Sequence, residues 1–238
     1  EALGVLKQVC LREGSTLTVA GEDIQWEEGN STLDGQTFRL DTSRNHYRLR
    51  IPLLGKYQME NAAVAIGILE ALIEGGLKIS TRSIEEGLRR VEWPCRLDVL
   101  RKSPLLLADG AHNPHSAGRL VETIKELFPD RRILLIVGVS GNKDLEGLVA
   151  ELNLLSAEVV IATRSRHPRA AQPARVAQAF SLHNDNVHVT DDVSKALGIA
   201  QGIAVDGDLV LITGSLFVAA EAREQMKGIS TEIYPVIE

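Results

Sequence analysis

Residues 105–114 read Leu-Leu-Leu-Ala-Asp-Gly-Ala-His-Asn-Pro, and no other ten positions narrow the fold as much. A leucine run bounded by Pro104 and Gly110 fits a strand buried on both faces, which points to a parallel sheet. The Asp-Gly-Ala-His-Asn that follows is too polar and turn-prone to continue it, so Asp109 falls at the strand's carboxyl end. Asn113 is a good helix N-cap and Pro114 suits the first helical position, after which Leu120, Ile124 and Leu127 recur as one apolar stripe. A carboxylate, an imidazole and a set of free backbone N–H groups are therefore expected at one strand-to-helix corner. Ligands of open parallel sheets bind outside strand carboxyl ends, and helix N-termini favour phosphate or carboxylate.

The rest of the chain repeats this alternation. Further buried-strand patterns lie at 132–137, 158–163, 187–190 and 208–213, and helical patterns at 115–128, 145–155, 173–181, 193–204 and 216–226. The expected fold is α/β, a Rossmann-like, mostly parallel sheet with helices on both faces. Trp93-Pro94-Cys95-Arg96 breaks the preceding helical pattern and residues 97–100 resume as strand, which sets domains at 1–92 and 93–238. The first domain opens with short β-like runs at 5–11, 16–20, 36–41 and 47–51. An Ala-rich buried helix then runs to Gly75-Gly76, and a second helix at 80–90 has Thr81 or Ser80 as its cap and turns Ile84 and Leu88 inward. Residues 228–238 are expected as an edge strand or a loose tail.

A net charge of -6 argues against a nucleic-acid partner, and no apolar run approaches the ~20 residues of a membrane span. Cys10 and Cys95 read as two unpaired small hydrophobes, which suits the cytoplasm. The sequence begins at Glu1 without a methionine or leader, so it is expected to start part-way through a longer protein.

Other strand ends carry weaker signals. Val137-Gly138-Val139-Ser140-Gly141-Asn142-Lys143 could bring N–H groups and a lysine to an anion or could be a tight turn, and Thr213-Gly214-Ser215 reads the same way. Asp109, His112 and His115 crowd seven positions, yet their spacing crosses a turn and does not assure convergence on a metal. Asp109 could also simply cap the turn backbone. Arg164, Arg166, Arg169 and Arg175 form a basic stretch, either a solvated face or a grip for a carboxylate.

Three segments together carry a family resemblance: Gly55-Lys56-Tyr57-Gln58-Met59-Glu60-Asn61-Ala62-Ala63, Trp93-Pro94-Cys95-Arg96-Leu97 and Asp109-Gly110-Ala111-His112-Asn113-Pro114. In order and spacing they resemble the folylpolyglutamate synthase/dihydrofolate synthase family of the Mur ligase superfamily, over nearly the whole chain. The resemblance implies the end of the Mur-type central domain at 1–92 and the C-terminal glutamate-ligase domain at 93–238. It implies an ATP-dependent ligase that activates a folate or dihydropteroate carboxylate as an acyl phosphate, which the amine of L-glutamate attacks. By that similarity Asn61, Arg96 and Asp109 contact ATP and His112 lies near the phosphates as the catalytic residue. The family's usual glycine before the arginine is replaced by Cys95, so a positive φ there implies backbone strain of about 1 kcal/mol.

No Gly-x-x-x-x-Gly-Lys-Ser/Thr phosphate loop occurs. The family's Mg²⁺ ligands and carbamylated lysine, which precede the matched region, have no counterpart either, and no metal ligand is assigned in this chain. The expectation is a C-terminal part of such a ligase, monomeric and nearly inert alone. The alternatives are a non-catalytic nucleotide-binding or regulatory α/β module, which needs no phosphate loop, and part of a Mur peptidoglycan ligase.

Overall fold

The computed structural model describes residues 2–234, which fall into two compact units, Glu1–Glu92 and Trp93–Glu238. In the first, β1 (Gln25–Thr32), β2 (Gly35–Asp41) and β3 (His46–Ile51) form an antiparallel sheet in that order. β2 and β3 alternate, as a sheet with one wet face must. Their inward Phe38, Leu40, Tyr47, Leu49 and Ile51 pack with Met59, Ala63 and Ile66 of α2 (Tyr57–Glu74) and Ile84 of α3 (Thr81–Arg89). Ser80 caps α3, its side chain accepting the Ser83 N–H.

Two sequence expectations fail here. Residues 5–11 are helical, within α1 (Ala2–Glu13). The alternation of Val5, Val9 and Leu11 with polar residues imitates a strand, but a proline-free run rich in Ala, Leu, Lys, Gln, Arg and Glu favours helix. Residues 16–20 form no strand, only a bridge from Ala20 to Ile24. β1 itself lacks apolar alternation, because an exposed edge strand takes its place from pairing with β2 rather than from burial.

In the second unit a six-stranded sheet has the order β4-β5-β9-β6-β7-β8. Its strands are β4 (Asp98–Lys102), β5 (Leu105–Ala108), β6 (Ile133–Val137), β7 (Val159–Ala162), β8 (Val187–Val189) and β9 (Leu209–Thr213). β4 runs antiparallel to β5 and the rest are parallel. Between them lie α4 (Pro114–Leu127), α5 (Leu145–Asn153), α6 (Pro173–Phe180) and α7 (Val193–Ile203), and α8 (Leu216–Lys227) follows β9. Leu106, Ala108, Leu134, Ile136, Val210 and Ile212 face α7 and α8. The alternate residues Leu105, Leu107, Leu135 and Leu211, fully buried, face the other layer, where α4, α5 and α6 present Leu120, Ile124, Leu148, Leu152, Val176 and Phe180.

This order creates a switch point. The chain passes from β5 over to β6, steps outward to β8, and returns to insert β9 between β5 and β6. The helix after β5 therefore leaves on one face and the helix after β9 on the other, the arrangement at which open α/β sheets bind ligands outside their strands' carboxyl ends. Residues 229–234 add no strand, and 235–238 lie outside the described residues. Among the described residues no helix is long and apolar enough to cross a membrane.

At the opposite, amino edge, Arg132 donates from Nε and Nη2 to the two carboxylate oxygens of Asp208 at 3.1 and 2.7 Å, tying β6 to β9. These bonds hold the Asp208 carboxyl below its ordinary 3.8. A carboxyl depressed on folding adds stability above its unfolded value and loses it as pH falls through the folded one. In urea titrations the wild-type chain should lose stability as pH falls below 3.8. Asp208→Asn should start weaker at neutral pH and lose less over that range.

Candidate functional site

The corner forms where the sequence places it. β5 ends at Ala108, and Asn113 caps α4 by accepting the Ser116 N–H at 2.8 Å, while the Ser116 hydroxyl accepts from the Asn113 N–H at 3.2 Å. Asp109, however, faces inward and is only 3% exposed. Its Oδ2 accepts the Leu97 N–H at 3.0 Å and its Oδ1 accepts the Ala111 N–H at 2.8 Å. Burial pushes this carboxyl upward, opposed by those two N–H groups and by the nearby Arg96 and His112. Asp109 thus holds two pieces of backbone together, and a carboxylate open to a ligand is not what the corner offers.

The piece it holds is the Trp93-Pro94-Cys95-Arg96-Leu97 turn. Pro94 and Cys95 are its central residues, and Cys95 has φ 61°, the positive value that a type II turn requires at its third position. Leu97 is left-handed as well, at φ 46°. Both are buried, which is how a strained backbone is kept in place. Burial also pushes the Cys95 thiol up to about 11, which leaves it unreactive. Gly110 lets the two segments approach: its N–H donates to the Cys95 carbonyl at 2.8 Å, and a Cβ there would meet Leu216 at 3.1 Å. Arg96, half-buried between the two strained residues, makes no hydrogen bond or ion pair among the described residues.

The free N–H groups expected at this corner are largely consumed. Gly110 donates to Cys95, Ala111 to Asp109, His112 to the Ser116 hydroxyl at 3.1 Å, and Ser116 to Asn113. Any anion here must therefore meet side-chain charge. His112 is half-buried and its Nδ1 donates to the Gly110 carbonyl at 3.0 Å. That bond fixes the tautomer, so Nε2 is left to face a ligand. His115 is exposed, and no group of three His, Cys, Asp or Glu among the described residues is arranged to hold a metal.

The neighbouring strand ends are stitched rather than open. The Gly138 N–H donates to Thr213 O at 3.2 Å, and the Gly141 N–H to Arg169 O at 2.7 Å. A Cβ at Gly138 would lie 2.7 Å from Thr163 O, and one at Gly214 2.8 Å from Gly138 O, so both glycines serve close packing. Lys143 ends this loop half-buried and without an ion pair among the described residues. Of the basic stretch, Arg166 bonds Glu224 at 2.7 Å and its N–H donates to the buried Glu221 at 2.7 Å, a structural tie. Pattern reading gave no sign of the orphaned hydroxyls of Thr163 and Thr213, fully buried at two strand ends. Asn61 belongs to the other unit, exposed as the fifth residue of α2, with its Nδ2 donating to Gln58 Oε1 at 3.0 Å.

If Asp109 holds the turn, Asp109→Ala strands two buried N–H donors and should cost about 2–4 kcal/mol in urea unfolding. At Cys95, relief of left-handed strain offsets lost burial, so Cys95→Gly should change stability by less than about 1 kcal/mol. The β-branched Cys95→Val should cost about 2 kcal/mol or more.

Residues 95–216 match the model of the Mur ligase glutamate ligase domain. A dihydrofolate synthase/folylpolyglutamate synthase of Escherichia coli is 31% identical over 94% of this chain and 50% of its own length. The Bacillus subtilis protein of the same name is 29% identical over 81% of this chain and 45% of its own. Among solved structures, Mycobacterium tuberculosis folylpolyglutamate synthase complexed with ADP and AMPPCP superposes with a TM-score of 0.84 at 25% identity, covering 94% of this chain and 52% of that one. The Thermotoga maritima enzyme gives 0.78 at 28% identity, over 95% and 52%. The chain thus spans about half the length, or less, of the relatives it matches. It belongs to the folylpolyglutamate synthase/dihydrofolate synthase family of the Mur ligase superfamily, and corresponds to the C-terminal portion of those proteins.

Proposed function

We propose that this chain serves an ATP-dependent amide ligase that adds L-glutamate to folate, and to dihydropteroate if the enzyme is bifunctional. The reaction is the one the resemblance implies. A substrate carboxylate oxygen attacks the γ-phosphorus of ATP and expels ADP; the glutamate amine then attacks the acyl carbon, and inorganic phosphate leaves. The observation that carries the reading is the switch-point corner, where the buried Asp109 fixes the Arg96 turn beside His112, whose Nδ1 is tied to Gly110 O and whose Nε2 is left without a partner among the described residues. Arg96 engages the nucleotide phosphates and His112 faces the transferring phosphate; Asn61, in the first unit, is an ATP contact on the strength of the family resemblance alone. Asp109 belongs to this nucleotide site chiefly by placing Arg96. Lys143, which makes no ion pair among the described residues and lies at the same sheet edge, is the candidate for a substrate carboxylate.

This chain does not supply everything that chemistry needs. It has no phosphate loop, and its described residues offer no group of three His, Cys, Asp or Glu arranged to hold a metal ion. Phosphoryl transfer depends on charge neutralisation by metal and lysine. We place the triphosphate grip and the Mg²⁺ ligands on polypeptide outside this sequence, in a cytoplasmic, monomeric enzyme. A Yersinia pestis relative was solved with AMPPNP and a Mn ion, in keeping with a divalent metal in the family's chemistry. The missing phosphate loop also favours a second reading, a non-catalytic nucleotide-binding module.

Two measurements separate these readings. The purified chain should show no ATP- and glutamate-dependent turnover above background, and turnover would overturn the division of labour proposed here. The complete gene should restore growth to cells lacking folate polyglutamylation, and Arg96→Ala in it should lower kcat/KM for ATP by about 100-fold or more. A gene that restores nothing would favour the module.

A further inference from the structure

The wet face of the first unit's sheet gathers arginine in a register that should keep like charges apart. Along β2 and β3 the exposed positions are Thr37, Arg39 and Asp41 opposite Arg50, Arg48 and His46, so Arg39 is paired directly with Arg48. Like charges facing each other across two strands destabilise a sheet. Neither guanidinium has a hydrogen bond or ion pair among the described residues to offset this. Asp41 is taken by His46 at 2.6 Å, and Arg50 donates to the Asp34 carbonyl at 3.4 Å. The chain as a whole carries a net charge of -6, so this face runs against its composition.

The face is also shaped. β1 shifts register between Glu28 and Ser31, and Gly29 lies so close to β2 that a Cβ there would sit 2.7 Å from Thr37 Oγ1 and 2.8 Å from the Thr37 carbonyl oxygen. Bulges of this kind bend an edge strand and re-aim its side chains. A groove of about 660 Å³ lies here, lined among others by Glu27, Glu28, Arg39, Arg48 and Arg50. Glu28 is bound to Lys56 at 3.2 Å, which leaves Glu27, opposite Arg39, to face the guanidiniums. Lys56 is also the residue that precedes α2, so the groove opens beside the start of the helix that carries Asn61.

A guanidinium fork takes a carboxylate two-pronged. Arg48 and Arg50, two positions apart on one strand, are separated by roughly 6.6 Å, and directly paired residues such as Arg39 and Arg48 by roughly 5 Å. When glutamate units are joined by amide bonds, whichever carboxylate is used, the other stays free on every unit. Extended, such a chain repeats its carboxylates on one side about every 6–7 Å.

We propose that this groove binds an oligoglutamyl chain, its successive carboxylates taking Arg39, Arg48 and Arg50. This rests on the ligase reading above, whose repeated action builds such a chain, and adds a site for the part already built. Each contact is exposed, so affinity rises with chain length and falls with salt.

The arginine Nε–Hε signals in a ¹⁵N correlation spectrum of the whole chain, assigned by single Arg→Gln variants, test this. Pentaglutamate, α- or γ-linked, should shift the Arg39, Arg48 and Arg50 signals and leave that of Arg175, in α6, where it was. Free glutamate at equal carboxylate concentration should bind at least about tenfold more weakly. Arg48→Gln should weaken pentaglutamate about tenfold and raise the urea midpoint, because it removes the like-charge pair. Glu27→Gln, which removes the competing carboxylate, should tighten it. If neither pentaglutamate shifts these signals, or if tripolyphosphate does and they do not, the groove is not an oligoglutamyl site and the ligase reading stands on its own tests. If Arg48→Gln lowers affinity and the urea midpoint together, the arginine serves the sheet and the proposal falls. A complete gene that restores no growth, with pentaglutamate still bound here, would sink the ligase reading and leave the groove as a site for carboxylate chains.

Discussion

A hydrogen bond from the Leu97 N–H to the carboxylate of Asp109, 3.0 Å long and sealed from solvent, joins the segment that enters the second unit to the end of its β5 strand. Without it, Cys95 and Leu97 would have little reason to remain left-handed, and Arg96 would ride on a loop. The acid is spent on architecture, and what it fixes is a turn carrying charge. The second oxygen, on Ala111, fixes the opposite wall, from which His112 projects.

Under the proposed function, the same economy would let this corner meet phosphates without resembling a phosphate loop. A Gly-rich loop offers free backbone donors; here the donors of residues 110–113 bond to Cys95 O, Asp109 and Ser116, and the glycines at 138 and 214 serve contact between strand ends. What remains without a hydrogen-bond or ion-pair partner among the described residues is side-chain chemistry: the Arg96 guanidinium, the Nε2 of His112 and the Lys143 ammonium. Such a set can meet phosphates gripped by another part of an enzyme, which fits a chain that spans half of its relatives.

Much of this was legible from residues alone, for identifiable reasons. Doubly buried strands write themselves as apolar runs, so β5, β6, β7 and β9 and their helices could be located within a residue or two, as could the Asn113 cap. A departure from the family's motif at Cys95 pointed to a positive φ, and the backbone has one. α1 was illegible because its apolar residues fall at spacings that suit either period, and β1 because an exposed edge strand needs no pattern of its own. The direction of Asp109 was illegible for a different reason: one acid at a strand end reads the same whether it turns toward a ligand or toward the backbone. That choice depends on Leu97, twelve residues earlier, arriving with its N–H unpaired.

Hydrogen exchange at the Leu97 and Ala111 amides tests this most directly. Leu97 precedes β4 and Ala111 lies between β5 and α4, so secondary structure protects neither amide and any protection must come from Asp109. The account requires both to exchange as slowly as the amides of β5, opening only when the whole unit does. Exchange at the rate of exposed loop amides would mean that the carboxylate does not hold them, and the placement of Arg96 would lose its cause.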